Sequence, residues 1–307
     1  MSQKLSSYIF LATCILILSG CKDRHVSTMR SAYYWSTTWE CDSALQTFIH
    51  DNEIGRIYLR YFDVVVDDNG DVMPNATIRF ASPLPPNVEI VPTVYIVNNC
   101  LSKETKNLDQ LILKRVLQMS ETHDVAGVKE IQIDCDWSMS TRKTYFEMLS
   151  NLRDSLHDKG LKLSATIRLH QLSEAPPPVD KGVLMMYNTG DLRKRDHNPI
   201  LDLDDAAPYL KHLDSYQLPL STAYPVFSLS VLWRGNHLVG IMHDDDLPMF
   251  DGDTLITYEA ELETVQEAKN VISRLKTTAN YETILFEISK NNMKRINKSH
   301  YEKIYNH

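Results

Sequence analysis

Cysteine is scarce in this chain, and its spacing argues against the commonest uses of the residue. Only five cysteines occur among 307 residues, and none forms a CxxC pair or lies at zinc-ligand spacing from a histidine. Cys14 and Cys21 fall in the apolar amino-terminal segment, which leaves Cys41, Cys100 and Cys135. This odd number supports neither a disulfide framework nor a zinc site. One disulfide among the three stays open, and the sequence does not select the pair.

Long runs of one residue class are also lacking. The chain has 32 Lys and Arg against 40 Asp and Glu, a net charge of −8, and no long basic run, so nucleic acid is not an expected partner. The apolar run at residues 8–18 is too short for an ordinary transmembrane helix. There is no internal repeat or strong domain boundary, and the remaining length suffices for one domain with a large core.

The amino terminus carries a targeting signal. Lys4 gives a basic start, the apolar run follows, and LSGC at residues 18–21 resembles the lipobox of bacterial lipoproteins, in which small residues precede a lipid-modified cysteine. The alternative is an ordinary signal peptide with a chance cysteine. We therefore expect residues 1–20 to be a lipoprotein signal peptide, Cys21 to be lipidated and residues 21–31 to form a tether. The expected location is the bacterial cell envelope, with the lipid held in a membrane, the outer membrane being favoured.

Residues 130–137 (EIQIDCDW) alternate strictly between apolar and polar side chains. The apolar set is Ile131, Ile133 and Cys135, and the polar set is Gln132, Asp134 and Asp136. This pattern suits a strand of a (β/α)8 barrel, with one face under helices and the other inside the barrel. Acids at the carboxyl end of such a strand lie at the barrel mouth, where active sites are built. The alternative is an edge strand of an antiparallel sheet with one face in water.

The rest of the chain alternates between predicted strands and helices, which favours a parallel sheet closed into a barrel over residues 32–307. Strands are predicted at residues 32–35, 56–66, 88–97, 130–137, 162–169, 182–187, 218–226 and 281–289. A small hairpin is predicted at residues 227–242, inserted between strands seven and eight and followed by an acidic loop at 243–253. The basic tail to residue 307 is predicted to be a surface helix.

Two acidic segments are not expected to bind metal. Residues 67–71 (DDNGD) place acids at alternate positions, but the glycine is misplaced for a calcium loop and no glutamate closes it. The aspartates of the loop at 243–253 are interpreted as solvated. No metal and no cofactor is therefore predicted.

Three short segments resemble the chitinase-like family 18 glycoside hydrolases. IDCDWS at residues 133–138 resembles the strand-four signature, MMYN at 185–188 the strand-six motif, and AYPVF at 223–227 the strand-seven segment. The chain is closer still to a group of bacterial TIM-barrel lipoproteins with no assigned function. The resemblance implies a TIM barrel that acts on or binds a glycan or oligosaccharide. It also implies that Asp134, Asp136 and Tyr187 are the catalytic group.

The sequence departs from the family where the proton donor is required. Ser138 stands at the position of the family's glutamate, Ile131 at that of its first aspartate, and Asn188 at that of another aspartate. That family uses the acetamido group of the substrate as nucleophile, so the protein must supply a general acid. Serine cannot supply that proton at neutral pH. A catalytically silent glycan-binding or scaffold lipoprotein is therefore the alternative to a glycoside hydrolase.

Other residues near the strand ends are candidates for the same site. Asp63 and Glu287 are candidate acids at the mouth, and the like charges of Asp134 and Asp136 would raise one pKa if they lie close together. Arg60 and Arg168 would instead neutralise the acids in a structural network. The predicted substrate-binding residues are Arg60, Asp63, Arg168, Asn188, Glu287, Tyr34 and Trp35, with Trp137 a further aromatic that could stack on sugar.

The three functions differ in what they require at the mouth. A hydrolase requires an open cleft and a carboxylic acid free of arginine. A silent glycan-binding protein requires the same cleft with every carboxylate paired. A scaffold protein requires a mouth filled by its own loops.

Overall fold

The computed structural model describes residues 29–103, 106–242, 247–295 and 298–306. The predicted signal peptide, Cys21 and most of the tether lie outside the described residues. The first strand begins at Met29, so residues 29–31, which the sequence analysis assigned to the tether, are part of the fold.

Eight parallel strands close into a barrel, as predicted. They are β1 (Met29–Tyr34), β3 (Arg56–Val66), β6 (Glu89–Ile96), β7 (Glu130–Asp134), β8 (Lys162–Ile167), β9 (Lys181–Met185), β10 (Leu220–Pro225) and β14 (Glu282–Phe286). Each pairs with its neighbour in chain order, and β1 pairs with both β3 and β14, which closes the sheet. There are three shorter strands outside the barrel, β2 (Thr38–Trp39), β4 (Val72–Asn75) and β5 (Arg79–Phe80). Strand β4 pairs with β3, and β2 pairs with β5.

Helices cover the outside of the barrel because their apolar residues recur at three- and four-residue spacing. They are α1 (Ser43–Asp51), α2 (Leu108–Thr122), α3 (Arg142–His157), α4 (Leu203–Leu210), α5 (Leu262–Leu275), α6 (Lys290–Arg295) and α7 (Lys298–Asn306). Asp42 caps α1, because its carboxylate accepts the N–H of Leu45 at 3.0 Å. No helix in the described part of the chain is long and apolar enough to cross a membrane.

The alternation of β7 and β8 places their polar side chains inside the barrel, as predicted. The Tyr33 hydroxyl donates to Gln132 Oε1 across the interior at 2.7 Å, and Thr166 donates to Asp134 at 2.6 Å. Ile131 and Ile133 face outward and are fully buried under the helices. The interior polar residues therefore reach the mouth at the carboxyl ends of the strands.

The insertion before the last strand is a three-stranded antiparallel sheet, formed by a hairpin at residues 228–242 and one further strand. Strands β11 (Ser228–Arg234) and β12 (His237–Met242) are joined at Gly235, and β13 (Asp253–Glu259) pairs with the other side of β11. Arg234 holds β13 through two bonds to the Asp253 carboxylate, at 2.9 and 3.0 Å. The end of the predicted acidic loop is thus the start of a strand, and residues 243–246 lie outside the described part.

The carboxyl-terminal tail packs into the fold, which corrects the prediction of a surface helix. Tyr301, Ile304 and Tyr305 of α7 are buried, and the buried Lys269 of α5 donates to the carbonyls of Ile304 and Tyr305 at 2.6 and 3.2 Å. The three remaining cysteines, Cys41, Cys100 and Cys135, are buried and free, so no disulfide forms among them.

Candidate functional site

Asp134, the last residue of β7, is buried at the mouth and committed to internal bonds. Its Oδ1 accepts from the Thr166 hydroxyl at 2.6 Å and from Arg168 Nη2 at 3.2 Å. Burial opposes the charge of Arg168, but Asp134, together with Tyr187, Asp136 and Tyr95, raises the pKa of the guanidinium. Asp134 is therefore paired with Arg168 and not with Asp136.

Asp136 lies two residues further on and faces solvent, with 59% of its side chain exposed. Its Oδ1 is 3.8 Å from Nε2 of His170, whose side chain is 53% exposed. His170 belongs to a short 3₁₀ turn (Leu169–Ser173) that follows β8. An acid and an imidazole are thus presented together at the mouth, both within reach of a ligand.

Tyr187 follows β9 and lies in the mouth with its ring covered. The ring stacks on Phe286 with centroids 4.5 Å apart and meets the edge of Phe227 at 6.0 Å. The hydroxyl is buried but has no hydrogen-bond partner among the residues that the structure describes. Burial raises the pKa of Tyr187 well above its usual value, so the group is a neutral hydroxyl. A buried hydroxyl without a partner is costly unless a ligand or water satisfies it.

Asp136, His170 and Tyr187 line one cavity of about 290 Å³ at the carboxyl ends of β7, β8 and β9. Its walls are Asp136, Arg168, Leu169, His170, Met185, Tyr187, Asn188, Thr189 and Tyr209. Asn188 is exposed and has a left-handed backbone (φ 53°), which asparagine tolerates better than most residues. The mouth is thus open at this point rather than filled by loops.

On the opposite side of the mouth, Arg60 forms an ion pair with Asp63. Arg60 binds the Asp63 carboxylate through Nε and Nη2, and it donates Nη1 to the Trp35 carbonyl at 3.2 Å. Its guanidinium also lies over the Trp35 ring, 5.4 Å from the centroid. Asp63 is therefore neutralised, which argues against its role as a relocated acid.

Glu287 follows β14 directly, after a cis peptide bond to Phe286. Burial raises the pKa of Glu287 to about 7, while a backbone hydrogen bond from Trp35 and the charge of Arg60 oppose the rise. Among the described residues it forms no ion pair and does not line the cavity. It is the arginine-free carboxyl that the hydrolase hypothesis required, but it lies outside the cavity wall.

The predictions that Tyr34 and Trp137 contact a sugar are wrong. Tyr34 points out of the barrel, where its ring packs against Trp39 and its hydroxyl donates to the Thr38 carbonyl at 2.8 Å. Its neighbour Tyr33 occupies the interior instead. Trp137 is buried under α3 against Tyr145 and cannot stack on a sugar. Trp35 is half-buried at the mouth, beside Phe286 at 5.9 Å.

The Ser138 hydroxyl belongs to a polar cluster that is separate from the cavity. Its hydroxyl lies 2.9 Å from that of Ser140 and 3.2 Å from that of Thr141, and Asn98 Nδ2 donates to it at 3.3 Å. It does not line the cavity. The missing glutamate is therefore not replaced by a serine pointing into the site.

Sequence reasoning missed several groups at the mouth. His170, Thr189 and Tyr209 line the cavity, and Phe286 forms the surface on which Tyr187 stacks. The signal available for His170 was its position just after a barrel strand, where mouth residues occur. Tyr209 lies on α4 and carried no such signal.

One group in the described residues has metal-ligand spacing. His197 Nδ1 lies 3.5 Å from Asp202 Oδ2 and 3.8 Å from Asp205 Oδ2, and Asp205 belongs to the first turn of α4. Asp202 also caps α4 by accepting the N–H groups of Asp204 and Asp205. Ion pairing and helix capping account for these contacts.

A closed barrel of eight parallel strands with helices on its outside is a (β/α)8 barrel. It is similar to a chitinase from Chromobacterium violaceum, with a TM-score of 0.60 and 13% identity over 90% of this chain and 98% of that chain. It is also similar to a chitinase from Cycas revoluta in complex with (GlcNAc)3, with a TM-score of 0.59 and 11% identity over 90% of this chain and 98% of that chain. A third similar structure is the spore cortex-lytic enzyme SleL of Bacillus megaterium, with a TM-score of 0.57 and 10% identity over 91% of this chain and 74% of that chain.

At these identities the likeness establishes the fold alone. No protein-family model matches the chain, and no curated protein matches it.

Proposed function

We propose that the protein binds an oligosaccharide of N-acetylated amino sugars in the cavity at the barrel mouth. The observation that carries the proposal is the buried Tyr187 hydroxyl, which borders the cavity and has no hydrogen-bond partner in the described ranges. Around it stand donors and acceptors that suit sugar hydroxyls and acetamido groups: Asp136, His170, Asn188 and Thr189. The Cycas fold relative is in complex with an N-acetylglucosamine oligomer, which supports this choice of ligand.

The test compares two tyrosines by titration calorimetry with N-acetylglucosamine oligomers. Tyr187→Phe removes the hydroxyl at the cavity, and we expect a loss of roughly tenfold or more in affinity, the effect of one or two hydrogen bonds to a buried group. Tyr216→Phe is the matched control, because the Tyr216 hydroxyl is also buried without a partner but does not line the cavity. Equal affinities for both variants and the unaltered protein would contradict the proposal.

The lipid anchor is part of the proposal. The sequence LSGC at residues 18–21 supports lipidation of Cys21. Metabolic labelling with an alkyne fatty acid is expected to mark the protein and to be lost in Cys21→Ser but kept in Cys14→Ser, which alters the other cysteine of the same segment. Label retained by Cys21→Ser would contradict lipidation at this residue.

A further inference from the structure

The proposed glycan site holds one pair of groups whose chemistry goes beyond binding. We infer that His170, paired with Asp136, is the proton donor for cleavage of a glycosidic bond held in the mouth cavity. The inference rests on the proposed glycan binding and adds an activity to it. Ser138 stands at the position where the resemblance expects a glutamate, and it is bonded to Asn98 and its neighbours.

The other acids at the mouth are unsuited to the task. Asp134 is held as an acceptor by Thr166 and Arg168, and Asp63 by Arg60. A proton donor must come within hydrogen-bond reach of the leaving oxygen. Glu287 does not line the cavity, whereas His170 does.

The cavity wall itself leaves few choices. Its ionisable side chains are Asp136, Arg168, His170, Tyr187 and Tyr209. An arginine does not give up its proton, and phenols are weak acids. An imidazole both donates and accepts protons near neutral pH, which is why histidine is the commonest general acid and base. His170 lines the cavity and can both give up and take up a proton there.

Asp136 is placed to support that role. Its carboxylate lies 3.8 Å from Nε2 of His170, and both side chains are about half exposed. A small side-chain rotation would close this gap to a hydrogen bond, and such contacts are often long before a ligand binds. The carboxylate would then orient the ring and stabilise the imidazolium. Asp136 is a positioning residue in this scheme.

The step balances with water as the only co-reactant. The imidazolium gives its proton to the glycosidic oxygen while the bond from that oxygen to the anomeric carbon breaks, and the bonding electron pair stays on the oxygen. A water oxygen forms the new bond to the anomeric carbon. The proton lost by that water returns to His170, and the products are two free sugar ends.

The test measures cleavage by the full chain of two substrates that differ in their leaving group. N-acetylglucosamine oligomers need a proton on the leaving oxygen, whereas the corresponding nitrophenyl glycoside leaves without one. We expect His170→Gln to lower kcat on oligomers by roughly 100-fold or more, the usual contribution of a general acid. On the nitrophenyl substrate the loss should be less than about tenfold. The alkaline limb of the pH profile of kcat should disappear in this variant.

His157→Gln is the matched control, since His157 also pairs with an aspartate, Asp180 at 2.9 Å, on a half-exposed surface away from the cavity. It should leave both rates unchanged. Full activity of His170→Gln on oligomers, or abolition of that activity by Glu287→Gln with His170→Gln unaffected, would overturn the assignment. Binding without cleavage by the unaltered protein would overturn the inference and leave the binding function intact. Absence of binding would overturn the proposed function itself.

Discussion

At the scale of single residues, the mouth separates acids that are neutralised from acids that are not. Asp134 and Asp63 each bind an arginine, so their charges are balanced inside the fold. Glu287 is half-buried and forms no ion pair within the described part of the chain, and its pKa is raised to about 7. A buried carboxyl in this state costs stability whenever it is ionised, and such groups concentrate at functional sites.

The pKa of Glu287 predicts a pH-dependent stability. Because its pKa rises from 4.5 to about 7 on folding, folding favours the protonated form, and the associated stability is lost as pH increases from about 4.5 to 7. Glu287→Gln should therefore raise the free energy of unfolding at pH 8 by up to about 3 kcal/mol and leave it unchanged at pH 4. Urea unfolding at both pH values measures this.

The control for that measurement is Glu121→Gln, at an exposed position on α2. It should change the unfolding free energy by less than about 0.5 kcal/mol at either pH. Equal stability of Glu287→Gln and the unaltered protein at pH 8 would contradict the burial of an ionisable carboxyl at this position.

At the scale of the elements, Lys269 determines how the carboxyl-terminal helix is attached. Its ammonium is buried and donates to the last-turn carbonyls of α7, although burial and the charge of Arg30 lower its pKa to about 8. Lys269→Met keeps the length of the side chain but leaves those carbonyls without this donor. We expect the free energy of opening α7 to fall by about 1–3 kcal/mol, which makes hydrogen exchange in that helix faster. Lys211→Met, at an exposed position, should leave that exchange unchanged.

The barrel strands were predictable because alternation of side chains carries most of the information. It placed Gln132, Asp134 and Thr166 inside the barrel, and the structure has them there. The same rule explains the error at Tyr34, since a shift of one residue reverses the face of every side chain in a strand. The strand β1 starts at Met29, so Tyr33 points inward and Tyr34 outward.

Other elements gave weaker signals. Strand β13 is mostly exposed and lies beyond the acidic segment that follows β12, so neither a buried face nor a short turn marked it. The buried residues of α7, at positions 301, 304 and 305, have the spacing of an amphipathic helix, but the basic composition of the tail concealed it. The pairing of His170 with Asp136 depends on tertiary structure that local patterns do not contain.

At the scale of the whole molecule, Glu282 links five barrel strands at the end opposite the site. Its carboxylate accepts from Ser31, Arg56, Tyr58, Lys181 and Ser221, which belong to β1, β3, β9 and β10, at 2.7 to 3.1 Å. Burial opposes its ionisation, but Lys181 and Arg56 outweigh burial and lower its pKa to about 2. This carboxylate stabilises the closed barrel, and it is remote from the mouth.

Loss of this charge should destabilise the barrel. Because its pKa falls from 4.5 to about 2 on folding, Glu282 contributes stability above pH 4.5 that is lost as pH drops toward 2. Glu282→Gln should lower the free energy of unfolding at pH 7 by about 3 kcal/mol, and the difference should shrink as the pH falls to 3. A constant difference across this range, measured by urea unfolding, would rule out the charge as its origin.

The topology also orients the site relative to the proposed lipid. Met29 pairs with Glu282 at the amino-terminal ends of the strands, and the cavity lies at the carboxyl ends. With Cys21 eight residues before Met29, an anchored barrel would keep that end within about 28 Å of the bilayer and its mouth turned away. Liposome-bound protein should therefore bind soluble oligosaccharide as tightly as Cys21→Ser. A loss of more than about fivefold on liposomes would contradict this orientation.

The most direct test of the central claim is a crystal structure of the protein with an N-acetylglucosamine oligomer. We predict a sugar ring in the cavity between Asp136, His170 and Asn188, with one of its oxygens within about 3.2 Å of the Tyr187 hydroxyl. An ordered oligomer bound elsewhere, or a cavity that stays closed to sugar at saturating concentration, would contradict the proposal that this barrel mouth is a glycan site.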